Sequence, residues 1–189
     1  LLPVLQERGA VATSTVPAEL WALARAGSEY PAGSIGKSAL ERELASLQAF
    51  AQRQQELLQG ERLAPHLVRF ETMLDGEDWA LSAAFTDLHA SGYVHVRYDD
   101  SRVGDYLATW LAHLLLCAVP PAAALASARG LSRNGEFRFR ALAPARARAE
   151  LQSLLALYRG GLTQPVHFFP KSAWAYMLAG ESAGAALTK

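Results

Sequence analysis

Segments with the hydrophobic period of a helix alternate along this chain with segments typical of strands, and this alternation restricts the possible folds most strongly. Apolar residues recur at helical spacing over 37–59, 104–118 and 144–159, which predicts amphipathic helices. The segments 79–87 and 93–98 have the length and composition of strands. Elements in this order predict one α/β domain, in which helices flank a small mixed sheet.

Proline and glycine residues mark the expected ends of the helices. Pro120-Pro121 follows the second helix and ends it, because proline lacks the backbone N–H that a helix needs. Pro144 suits the first position of the third helix, and Gly160-Gly161 is expected to close it. The pattern also predicts a short helix over 18–26 and a last helix from 172 to about 179.

A β-hairpin is expected around Asn134-Gly135, with strands over 122–131 and 136–141. This dipeptide favours a type I′ turn, in which both central residues have positive φ. Alternation in the second strand places Arg138 and Arg140 on the face opposite its phenylalanines.

Charge is unevenly distributed, although eighteen basic and eighteen acidic residues leave a net charge of zero. Zero net charge excludes a protein held to DNA by bulk charge alone. Residues 61–105 contain nine acidic and four basic residues, whereas 125–150 contain six arginines and two acidic residues. The arginines of this second stretch are candidates for contact with DNA or with a partner protein: Arg129, Arg133, Arg138, Arg140, Arg146 and Arg148. The alternative is a solvated edge strand whose charges prevent aggregation.

Cysteine content and hydropathy exclude further classes. The single cysteine, Cys117, cannot form a disulfide within the chain or supply an all-cysteine metal cluster. The longest apolar stretch, 114–119, is much shorter than the ~20 residues that span a bilayer, so no membrane association is expected. The first residues lack an initiator methionine and the basic start of a signal peptide. We therefore expect a fragment of a larger protein.

Motifs for phosphate or zinc chemistry are incomplete. Gly33–Ser38 ends in Gly-Lys-Ser but lacks the earlier glycine of a phosphate-binding loop, and no two histidines have the spacing of a zinc hydrolase. Two acidic groups, 75–78 and Asp99-Asp100, are either magnesium ligands or polar turns. The residues alone leave both possibilities open.

Longer strings of the sequence resemble one known family. The segments 154–162, 165–176, 110–118 and 30–36 are similar to the C-terminal domain of RecC, the gamma subunit of exodeoxyribonuclease V. The resemblance covers residues 30–189, which implies a flanking segment over 1–29 and an excised domain of a larger subunit. It also implies a restriction-endonuclease-like, or RecB-nuclease-like, fold.

Active RecB-like nucleases have four short motifs, and the resemblance allows each to be sought here. Gly-x-x-x-His, Gly-x-x-Asp, Asp/Glu-x-Lys and Gln-x-x-x-Tyr supply the groups that bind Mg²⁺ and position the attacking water. The glycine of the first motif is present as Gly36, but of the metal-binding and water-positioning groups only the aspartate of the second motif is kept, as Asp87. Other residues stand at the remaining positions, namely Leu40, Arg97, Asp99, Trp110 and Leu114. The resemblance therefore implies no catalytic residue, no metal and no cofactor in this domain.

The family also implies a setting. Its members act in the bacterial cytoplasm beside RecB-like and RecD-like subunits, in a complex that uses ATP and Mg²⁺ on double-stranded DNA ends and single-stranded DNA. We expect a catalytically inactive domain that scaffolds these subunits and guides or splits DNA. Two rivals are an active metal-dependent nuclease using Asp87 and Asp99, and a pure protein-docking module.

Overall fold

The structure is a computed structural model that describes residues 22, 26, 33–58, 61–166 and 169–180. The chain divides into two compact units, Leu1–Gln59 and Gly60–Lys189. The expected boundary between residues 29 and 30 lies outside the described residues, so it stays a prediction.

One long helix, α1 (Ser34–Leu57), is the described element of the first unit. It begins three residues before the predicted start, after Gly33, whose φ of 87° favours glycine. Its buried residues recur at helical spacing, as Leu40, Leu44 and Leu47 show. Of the short helix predicted over 18–26, only Ala22 and Ala26 are described, and both are helical.

The second unit begins with a long antiparallel hairpin formed by β1 (His66–Leu74) and β2 (Glu77–Phe85). Leu74 pairs with Glu77 across a turn of Asp75 and Gly76, which have φ of 49° and 83°. The acidic group at 75–78 therefore builds a hairpin turn, one of its two predicted roles. Strand β1 was not predicted.

A second sheet has four strands in the order β3-β4-β5-β6. Strands β4 and β5 run parallel, and the other neighbours are antiparallel. The bounds are Leu88–His89 (β3), Gly92–Arg97 (β4), Ala128–Ser132 (β5) and Gly135–Arg138 (β6). The link expected between the strands at 79–87 and 93–98 thus contains the short β3.

Helix α2 (Val103–Ala118) connects the parallel strands β4 and β5, as a parallel pair requires. It packs against both strands and against α3 (Pro144–Thr163). Buried side chains of α2, among them Leu114 and Cys117, form one core with Phe70 of β1 and Leu151 of α3.

Two predicted boundaries are wrong, namely the end of helix α3 and the position of the turn in the second hairpin. Helix α3 continues through Gly160-Gly161 to Thr163, because neither glycine adopts the positive φ that closes a helix. Its end precedes Pro165, which disfavours helical geometry in the residue before it. In the β5–β6 hairpin, Ser132 pairs with Gly135, so the two turn residues are Arg133 and Asn134.

The expected type I′ turn is also wrong, because Asn134 does not have positive φ. The Asn134 carboxamide oxygen accepts from the Ser101 backbone N–H at 3.1 Å and from the Ser132 hydroxyl at 2.6 Å. These bonds hold the residue in its observed conformation. Strand β5 also begins at Ala128, six residues after the predicted start of this strand.

The last described helix, α4 (Pro170–Leu178), is anchored by Trp174, which stacks on Tyr106 of α2 with ring centroids 4.6 Å apart. Phe169 is 64% exposed and does not share this packing. The architecture confirms the expected mixed α/β class, with the strands divided between two small sheets. None of the described helices combines the length and apolarity needed to cross a bilayer.

Candidate functional site

Charged side chains converge where β4 ends and α2 begins. Alternate residues of β4 point toward α2, and the chain then turns directly into the helix. We call this group the charged cluster; its members are His95, Arg97, Asp99, Arg102 and Asp105.

Asp105 is the most buried member of the charged cluster, with 8% of its surface exposed. Its carboxylate accepts from the Arg102 backbone N–H at 2.8 Å and from Arg97 at 3.3 Å, and it lies 3.2 Å from His95 Nε2. Burial raises the pKa of Asp105, but the Arg102 N–H, His95 and Arg97 together outweigh it, so the pKa lies below its usual value. The carboxylate is therefore held in its charged form.

Asp99 completes the network on the solvent side. Its carboxylate accepts from the Asp100 backbone N–H at 2.9 Å, from Arg97 at 3.2 Å and from Arg102 at 3.0 Å. These contacts, led by the backbone N–H, lower the pKa of Asp99. The Asp99 hydrogen bond is also the main cause that raises the pKa of Arg97.

The charged cluster is thus a network of ion pairs centred on Arg97. Arg97 bridges Asp99 and Asp105, and each of these carboxylates has a second cationic or imidazole neighbour. In this arrangement the oxygens that a divalent cation needs already contact nitrogen donors. Among the described residues, no three carboxylate, imidazole or thiol groups are placed to hold a metal ion together.

Asp87 lies apart from the charged cluster. It precedes β3, whose Leu88 pairs with Tyr93 near the start of β4, whereas Asp99 follows the end of that strand. The two aspartates therefore lie near opposite ends of β4. At a rise of ~3.3 Å per strand residue, their Cα atoms are more than roughly 10 Å apart. Asp87 instead pairs with Arg62 at 2.6 Å and contributes, after burial, to the raised pKa of Tyr93.

Arginines of the β5–β6 hairpin form a separate basic surface. Arg129 and Arg138 lie directly opposite each other in neighbouring strands, and Arg140 follows two residues later. Arg138 and Arg140 are exposed, and none of the three has a carboxylate of the described residues within ion-pair distance. Phe137, in contrast, points toward α2 and packs on Tyr106 with ring centroids 4.2 Å apart.

The other predicted arginines lie in different settings. Arg133 is exposed in the hairpin turn. Arg146 pairs with Glu150 at 3.0 Å, and the Arg148 guanidinium lies 5.9 Å from the centroid of the Phe70 ring in β1. Arg148 therefore lies beside the first sheet and not beside the β5–β6 hairpin.

The sequence matches the RecC C-terminal domain family over residues 3–181. The chain belongs to that family. No curated protein matches it. Membership confirms the resemblance described above and supports a place for the RecC C-terminal domain in a RecBCD complex, with partner subunits, in DNA repair and recombination.

The resemblance places three further residues of this RecC C-terminal domain, Leu40, Trp110 and Leu114, at nuclease-motif positions, and none of them has an acid–base or metal-binding group. Leu40 is buried in α1 and Leu114 is buried in α2. Trp110 is half-buried and lies 6.0 Å from Phe139, centroid to centroid. All three serve packing.

Sequence reasoning missed Asp105, His95 and Arg102 as members of the site. One signal was present for Asp105, since an acidic residue in the first turn of a predicted helix interacts favourably with the free N–H groups there. Its partners His95 and Arg97 lie on a different element, so their convergence depends on how α2 folds back onto β4.

Proposed function

We propose that this RecC C-terminal domain is a non-catalytic, nuclease-like domain that scaffolds partner subunits and guides or splits DNA. It acts within a helicase–nuclease that processes double-strand breaks for recombination in the bacterial cytoplasm. The observation that carries the proposal is the Arg97 guanidinium, which bridges Asp99 and Asp105.

Loss of catalysis follows from charge at this position. A nuclease of this type needs carboxylates around Mg²⁺, and a fixed guanidinium beside them repels a divalent cation. Asp99 stands where the resemblance places a lysine ammonium, so the charge that positions the attacking water is inverted. Asp87 pairs with Arg62 and lies near the opposite end of β4 from Asp99, which does not favour one metal held by both carboxylates.

The scaffolding and guiding role is supported by family membership and by the basic hairpin. RecB-like and RecD-like subunits are the expected partners, and the ATP and Mg²⁺ chemistry belongs to them in this account. Arg138 and Arg140 are exposed without carboxylate partners among the described residues, which suits contact with an acidic surface or with DNA.

Incubation of the purified chain with Mg²⁺ or Mn²⁺ and linear DNA tests the loss of catalysis. We expect no cleavage by the wild-type chain, and the Asp87→Ala variant serves as the matched control. Cleavage that Asp87→Ala abolishes would show an active nuclease and overturn the proposal. Cleavage equal in both proteins would identify a contaminating nuclease.

The scaffolding and guiding role is tested in the assembled complex. Arg138→Glu combined with Arg140→Glu should weaken either assembly with the partner subunits or binding of DNA, because the charge of the hairpin is reversed. Arg53→Glu, at an exposed position of α1, serves as the charge-reversal control. Unchanged assembly and unchanged DNA binding would refute a contact role for the hairpin.

A further inference from the structure

Strand β6 has an open backbone edge. It is the last strand of the second sheet, and its only described neighbour is β5. The Phe139 N–H donates to the Ala128 carbonyl, which shows which residues of β6 direct their backbone groups toward β5. Since hydrogen-bonding directions alternate along a strand, the N–H and C=O groups of Glu136 and Arg138 point away from β5. Among the described residues no backbone hydrogen bond engages these groups, so they can pair with another strand.

The side chains on this edge carry concentrated positive charge. Arg129 and Arg138 form a non-hydrogen-bonded pair, the type in which opposed Cα atoms approach to ~4.5 Å. Like charges directly opposite each other destabilise a sheet. Glu136 shares the face of Arg138 by strand alternation. Arg140 follows two residues beyond Arg138, past the end of β6, and continues the same alternation; both residues are exposed. The face therefore presents an acidic residue followed by two basic residues, with Arg129 alongside.

We propose that an extended acidic segment of a partner protein adds to β6 as a further strand of this sheet. The backbone of the segment pairs with the open edge at Glu136 and Arg138. Its carboxylates, at alternate positions, lie opposite Arg138 and Arg140, and a neutral or basic side chain lies opposite Glu136. The inference deepens the scaffolding role of the proposed function and rests on it.

Edge protection alone does not account for this arrangement. Charged residues on an edge strand prevent unwanted pairing, but Arg129 lies on the inner strand β5 and guards no edge. Its position opposite Arg138 costs stability unless an anion lies between or beside the two guanidinium groups.

A nucleic acid fits this edge less well than a peptide. The outward carbonyl oxygens of Glu136 and Arg138 and the Glu136 carboxylate would face phosphates unfavourably. The aromatic side chains of the hairpin are also turned away, since Phe137 packs on Tyr106 and Phe139 lies against His113. They are not available for base stacking. A strand with carboxylates at alternate positions satisfies both the edge and the arginines.

Binding of a labelled peptide of alternating glutamate and threonine to the full chain tests the proposal, with fluorescence anisotropy as the measurement. A peptide of alternating lysine and threonine is the control for charge. We expect binding of the glutamate peptide only. Arg138→Glu should weaken this binding at least about tenfold, because it removes one opposed charge and introduces repulsion.

Two substitutions at Glu136 separate strand addition from charge attraction. Glu136→Ala keeps the outward N–H and should leave peptide binding equal or tighter. Glu136→Pro removes that N–H without affecting the pairing with β5, and should weaken binding about tenfold. An N-methylated glutamate peptide, which cannot form the ladder, gives the same information if the proline variant does not fold.

Two outcomes would overturn the inference. If the glutamate peptide does not bind, strand addition is refuted, and the arginines serve to prevent unwanted strand pairing. Binding of single-stranded oligothymidylate that Arg138→Glu weakens and Glu136→Pro leaves unchanged, without peptide binding, would make this a nucleic-acid surface. Both outcomes are independent of DNA cleavage, so they leave the proposed loss of catalysis in place.

Discussion

The guanidinium of Arg97, at the end of β4, donates a hydrogen bond over 3.3 Å to the carboxylate of Asp105, in the first turn of α2. The same carboxylate accepts from the backbone N–H of Arg102, which immediately precedes the helix. A single acidic side chain thus joins the strand, the loop and the helix at the place where the family resemblance locates a metal site.

Replacement of Asp105 by asparagine should destabilise the folded chain. The substitution keeps the shape of the side chain but removes the charge that pairs with Arg97 and His95. Hydrogen bonds to charged groups contribute ~1.5–3 kcal/mol, so the free energy of unfolding at neutral pH should fall by about 1–3 kcal/mol. Urea unfolding measures this difference.

The stability difference between wild type and Asp105→Asn should depend on pH in a defined direction. The pKa of Asp105 is lowered in the folded state, so its contribution is complete above the unfolded pKa of ~3.9. The contribution is lost as pH falls below that value toward the folded pKa. The difference should therefore be constant near neutral pH and shrink in acid. A difference that grows in acid would contradict the ion-pair account.

Gly130 should tolerate no larger side chain. A Cβ at this position in β5 would overlap the ring of Phe137, which packs on Tyr106. Overpacking of this kind costs ~1–3 kcal/mol, and Gly130→Ala should lower the free energy of unfolding by that amount. Gly104→Ala, where a Cβ meets nothing within 4 Å, is the matched control and should be neutral or stabilising. Equal losses in both variants would contradict the described packing.

Local signals predicted the elements whose apolar residues share one face. Helix α2 has a continuous apolar surface and ends before Pro120, so periodicity and a proline were sufficient. Strand β1 escaped prediction because it has apolar residues on both faces: Val68 and Phe70 are buried, whereas Leu67 is 68% exposed. The Asp75-Gly76 turn, a favourable hairpin dipeptide, was the signal that would have identified it.

Trp174 should control the attachment of α4 to the rest of the second unit. Its ring stacks on Tyr106, and Trp174→Ala removes that contact. Trypsin cleavage after Lys171, at the start of α4, should become several-fold faster because local opening becomes easier. Tyr176→Ala, at an exposed position of the same helix, is the control and should leave the rate unchanged. Equal acceleration in both variants would contradict an anchoring role for Trp174.

Prediction of the candidate site succeeded where the residue type alone indicated the loss of a metal ligand. It failed where a contact depends on how a helix packs on a strand. Arg97 and Asp99 were expected to have lost the metal-binding and lysine functions of their positions, and the structure places them in one ion-pair network. The sequence did not reveal Asp105 as their partner, since that contact exists only after α2 packs on β4.

Binding of Mn²⁺ to the purified chain tests the central claim, that Arg97 occupies the place of a metal beside Asp99 and Asp105. The electron paramagnetic resonance signal of free Mn²⁺ should be undiminished when the wild-type chain is added. Loss of that signal on addition of the wild-type chain, reversed by Asp99→Asn, would show a metal site at this position and contradict the account.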